Sequence, residues 1–126
     1  MRIEGRSVRV RLHDILAAIR GIKSTVAGLG YENYVTVWWI KHASERGIEI
    51  ISEASRHIPD DLKETATEVP WRQIAGIGNI LRHDYETISD HVVWDIIENH
   101  LDPLEEAAQR LVKAIEAEER DKSAQQ

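Results

Sequence analysis

A run of apolar residues spaced alternately four and three apart does most to limit what this chain can fold into. Val8, Leu12, Ile15, Ile19, Ile22, Val26 and Leu29 follow that rhythm without a break. On a helix of 3.6 residues per turn they form one continuous seam, which has to be buried against something else. Gly28 and Gly30 follow, and glycine readily takes the left-handed conformation that ends helices.

The same rhythm predicts the rest of the architecture. A second helix is expected from about Asn33 to Ile58, with Ile40, Ala43, Gly47, Ile50, Ala54 and Ile58 as its seam and Lys41, Glu45, Arg46, Glu49 and Arg56 in solvent. Pro59 stops it. Asp60 and Asp61 are placed to cap a short turn reaching Thr65. Pro70 opens a third helix, Trp71 to about Asp84, where its missing N–H costs little. Thr87 to Asp90 supply capping side chains for a fourth helix, whose seam is Val93, Ile97, Leu101, Leu104, Ala108, Leu111 and Ile115. That seam keeps its phase across Pro103, which predicts a last helix kinked near Pro103 or two abutting helices. No stretch alternates with the period of a strand. The expectation is an all-α, up-down helical bundle of four to five helices, with residues 1–116 as a single domain and 117–126 as a frayed polar tail.

Composition narrows the chemistry. There is no cysteine, so disulfides, thiolate metal sites and cysteine nucleophiles are excluded. The first residues, Met1 to Leu12, carry basic side chains with no apolar run behind them, unlike a signal peptide, and no stretch is apolar enough for a membrane span. The expected location is cytoplasmic. Sixteen basic residues face 22 acidic ones, a net charge of -6, so any contact with RNA has to use a local basic cleft.

The informative segment is Pro70 to Tyr85, PWRQIAGIGNILRHDY. It resembles the motif region of the HepT-like proteins of the HEPN superfamily. In that family a proline and a tryptophan open the helix, and an Arg-Asn pair is followed by three residues, a histidine, one residue and a tyrosine. Asn79, His83 and Tyr85 match. Val92-Val93-Trp94 and Ile50-Ile51-Ser52-Glu53-Ala54 also resemble family segments, so the likeness spans nearly the whole chain. It departs at one point: Gly78 stands where the motif arginine belongs, and an arginine appears instead at Arg82. Positions 78 and 82 share a helix face one turn apart, so a long Arg82 side chain leaning toward the N-terminus can reach back toward the space of its missing counterpart. The other reading of Gly78 is a chain that has lost catalysis.

The resemblance implies a metal-independent endoribonuclease, cofactor-free, working as a homodimer and neutralised by a minimal nucleotidyltransferase antitoxin of the MNT type. His83 and Arg82 would be the catalytic pair, with Asn79 orienting the imidazole or a phosphate. Arg72, on the same face, would hold flanking RNA. Tyr85 would accept the AMP that the antitoxin transfers. Glu53 is a candidate support that holds an arginine from the motif helix. The remaining histidines form no helical metal pair, and Glu53 with His57 lacks a matching pair elsewhere, so no metal is expected. Of the adjacent Trp38 and Trp39, one is expected in the core and the other at a partner contact; Trp71 and Trp94 read as core or interface. Two rivals remain open: a HEPN module that binds protein, nucleotide or RNA without cutting, and a helical adaptor unrelated to RNA.

Overall fold

The computed structural model describes residues 5–83 and 89–125. Among these the chain is helical throughout, in seven elements: α1 Gly5–Val26, α2 Tyr31–Thr36, α3 Trp38–Ser55, α4 Asp60–Lys63, α5 Trp71–His83, α6 Asp90–Asn99 and α7 Leu101–Ala124. The all-α bundle expected from the seams is present.

The α1 seam is buried from Val8 through Ile22. Leu29 lies beyond it, past a turn in which Gly28 adopts φ 73°, and stays exposed. The second predicted helix is two helices, because Val37 takes an extended conformation and parts α2 from α3. The buried side of α3 is also rotated from the predicted seam. It runs through Ile40, Ser44, Glu45, Gly47, Ile48, Ile51, Ser52, Ala54 and Ser55, while Ala43 is exposed and Ile50 only half-buried. The cause is that α3 packs against both α1 and α5, so it buries a broad strip. Small residues fill that strip where backbones approach closely, and a search for large apolar side chains passes over them. The serines stay satisfied: Ser52 Oγ donates to the Ala75 carbonyl at 2.9 Å and Ser55 Oγ to the Ser52 carbonyl at 2.7 Å.

Pro59, with no side-chain bond of its own, takes the N-cap of α4, and Asp60 and Asp61 sit in its first turn, where carboxylates suit the helix dipole. Ser89 caps α6, accepting from the His91 N–H at 3.1 Å. The chain breaks at His100 rather than at Pro103, which falls in the first turn of α7 where a proline is tolerated. Two abutting helices therefore replace one kinked helix. The last helix does not fray from Ala117 but continues to Ala124, and an Arg9–Glu119 ion pair joins it to α1. Lys23 binds Asp102 and Glu105 at the opposite end of the same pair of helices, so α1 and α7 run antiparallel. No helix among the described residues is long and apolar enough to cross a membrane.

Candidate functional site

The site rests on α5. Its entry is fixed by Trp71, whose indole N–H donates to the Ala66 carbonyl at 3.0 Å. Ile74, Ile77 and Leu81 then drive one side of the helix into the core. The 3.6-residue period turns the opposite side outward, and on it Arg72, Gly76, Asn79 and His83 recur at spacings of four, three and four. All four are exposed. Arg82, also exposed, flanks this row, so the helix brings together four of the predicted residues: Arg72, Asn79, Arg82 and His83. Arg82 and His83 occupy the last turn, the end of a helix where positive charge is favoured. Tyr85 lies outside the described residues.

Gly78 has a packing role that the sequence does not announce. It is buried against α3, and a Cβ added there would stand 2.2 Å from Ser52 Oγ and 2.5 Å from Ser52 Cβ. The space in which an arginine at position 78 would begin thus belongs to Ser52. Arg82 does not reach back into a vacancy. It projects one turn later, beyond the contact.

The direction of packing follows from the same contacts. Arg56 and Ser52 both bond the Ala75 carbonyl, at 2.7 and 2.9 Å, and Gly78 faces Ser52. Numbers rise along α5 as they fall along α3, so the two helices are antiparallel. Arg56, expected in solvent, is in fact a clamp between them. Glu45, also expected in solvent, is buried on α3.

Glu53 meets a different set of partners from those expected. Its carboxylate lies 3.3 Å from His57 Nε2 and 3.6 Å from Arg56, both on its own helix. The hydrogen bond from His57 is the main reason its carboxyl sits below the usual glutamate range, and the charges of Arg56 and then Arg82 add to the effect. Glu53 therefore feels the motif-helix arginine through its field, with no ion pair between them printed by the geometry of the site.

On the other flank of the row, α5 and α6 enclose a groove of about 630 Å³ lined chiefly by Ile74, Ile77, Ile80, Val92 and Ile96. Ile80 and Val92 are 40% and 50% exposed. Neither Trp38 nor Trp39 enters the core: they are 73% and 58% exposed at the start of α3. Trp94 is buried, in ring contact with Tyr34 at 5.5 Å, and Trp71 is half-buried against the core. No group of three or more metal-ligating side chains occurs among the described residues.

A helical bundle presenting arginine, asparagine and histidine along one exposed helix face is a domain of the HEPN type. The chain belongs to the Ribonuclease HepT-like family, whose model matches residues 15–111. It is 35% identical over 92 residues to a protein of Methanocaldococcus jannaschii named "Putative RNase", covering 73% of this chain and 84% of the other. It is 32% identical over 108 residues to "Probable ribonuclease HepT" of Thermococcus cleftensis, covering 86% and 98%. No solved structure matches the chain.

Proposed function

We propose that this chain is a HepT-like toxin, a metal-independent endoribonuclease that cleaves single RNA phosphodiester bonds. The observation that carries the reading is the exposed row of Arg72, Asn79 and His83 with Arg82 at its flank, in a chain of this family. Cleavage by the RNA's own 2′-hydroxyl needs three things: a base for that proton, an acid for the leaving 5′-oxygen, and positive charge beside the crowded phosphate. Histidine exchanges protons near neutral pH, and arginine presents several fixed donors to phosphate oxygens. In the proposed reaction His83 exchanges the proton and Arg82 holds the phosphate oxygens. The 2′-oxygen forms its bond to phosphorus as the 5′-oxygen leaves with a proton, giving a cyclic phosphate and a free 5′-hydroxyl. Asn79 orients the imidazole or a phosphate, and Arg72 holds the strand further along.

One imidazole cannot be acid and base in the same step. A homodimer that sets two rows across a cleft resolves this, and the apolar groove beside the row supports such pairing. Neutralisation by a nucleotidyltransferase antitoxin that places AMP on Tyr85 fits this scheme, since a bulky anion near the cleft blocks substrate and repels RNA. The setting is cytoplasmic.

The close contact at Gly78 favours one rival, a HEPN module that binds without cutting. Expression of the chain in a bacterial host beside His83→Ala and Arg82→Ala separates the two. The ribonuclease reading expects growth arrest and broken RNA with the native chain, and loss of both with either variant. Intact RNA and normal growth in all three cultures sink it.

A further inference from the structure

We propose that Trp38, stacked on His42, is an aromatic step on which an unpaired base of the RNA rests, beyond the catalytic row. The proposal deepens the ribonuclease reading and rests on it for the identity of the ligand.

Two adjacent tryptophans largely in solvent are costly to leave uncovered. Their orientations differ, because neighbouring residues on a helix point about 100° apart. Trp38 and Ser52 are separated by four turns less a fraction, so Trp38 stands on the side of α3 that faces α5. Trp39 points away from it. Since α3 and α5 are antiparallel, the start of α3 extends past the end of α5. Counting from the Ser52–Gly78 contact at about 1.5 Å per residue, Trp38 lies roughly 13 Å beyond His83 along the bundle. A strand held along Arg72, Asn79 and His83 and continued in the same direction passes over Trp38.

The step itself is built. The Trp38 and His42 rings stack with centroids 4.3 Å apart and planes 24° from parallel. His42 Nδ1 also lies 2.8 Å from the Trp38 carbonyl oxygen, which fixes the imidazole beneath the indole. The indole remains 73% exposed, leaving its outer face open. Such a face suits a planar base of any sequence, and the cationic row suits the anionic backbone attached to it. A protein partner would be served equally by both tryptophans, whereas a strand arriving from the row meets Trp38 and misses Trp39.

The test uses the full chain and a fluorescent, uncleavable single-stranded 2′-O-methyl oligoribonucleotide, with binding read by anisotropy. Trp38→Ala is expected to weaken binding about tenfold, Trp38→Phe to recover most of it, and Trp39→Ala to leave it unchanged. An oligonucleotide stripped of its bases should bind native chain and Trp38→Ala equally. Three results overturn the proposal: no binding of the probe by the native chain, equal affinity of native and Trp38→Ala, or sedimentation showing that Trp38→Ala splits a dimer. The ribonuclease reading fails separately. Trp38-dependent binding by a chain that never cuts RNA removes the enzyme and keeps the step, while cleavage indifferent to Trp38 keeps the enzyme and removes the step.

Discussion

At Gly78 a single missing side chain decides how closely two helices approach. Ser52 fills the place a Cβ would need, and the serine is itself pinned to the Ala75 carbonyl. Gly78→Ala is therefore expected to destabilise the chain by about 1–3 kcal/mol, despite alanine's better helix propensity, because α5 must shift or Ser52 must turn and lose its bond. Urea unfolding of Gly78→Ala, Ser52→Gly and the double variant checks this. The double variant should cost less than the sum of the two singles, since the added methyl then enters a space already cleared. The residue scale is also where sequence reading reached its limit. Asn79, His83, Arg72 and Arg82 stand on the exposed side of one helix, as their spacing implies. That Gly78 is a packing residue depends on Ser52, a partner from another helix, and no local signal in the motif carries that information.

At the scale of elements, the α1 seam, the proline openings and the Ser89 cap were legible because each has a local cause. The register of α3 was not. A helix sandwiched between two others buries small and polar residues at close approaches, and Ser44, Ser52 and Ser55 look like surface residues to a reading of hydrophobicity. The extended Val37 that divides α2 from α3 has no proline or glycine to mark it. With it the placement of Trp38 and Trp39 was lost, since a continuous helix seemed to put one of them inside. The Ser89 cap carries a prediction at this scale. Ser89→Ala should lower stability by about 1 kcal/mol, by removing the acceptor for the His91 N–H, and Ser89→Asp should restore it. Thermal melts of the three proteins decide the matter, and an unchanged Ser89→Ala would mean that solvent replaces the cap without loss.

Over the whole molecule, several ion pairs join helices distant in sequence. Arg110 bonds Glu68 at 2.7 Å and is the main reason the Glu68 carboxyl lies below its ordinary range, as His57 does for Glu53. Lys23, between Asp102 and Glu105, is shifted the other way, above its ordinary value, mainly by the bond from Asp102. The two glutamates, with lowered values in the fold, add stability that is present above the ordinary glutamate range and lost as pH falls through their lowered values. The lysine adds stability that is present below its ordinary value and lost as pH rises through the raised one. The melting temperature should thus be flat near neutrality and decline at both extremes. Exposure and salt keep the amplitude small. Glu68→Gln should flatten part of the acid decline, and Lys23→Met part of the alkaline one, in melts at low ionic strength.

The Ser52–Gly78 contact also constrains the order in which this chain can change. A single step that puts arginine at position 78 would drive a wedge between α3 and α5, so the variant pays in folding before any charge is placed. Ser52→Gly first opens the gap at a smaller penalty, and only then does a long side chain at 78 find an exit. Between the two arrangements, arginine at 78 or arginine at 82, the direct road is closed and the passable one runs through a different helix.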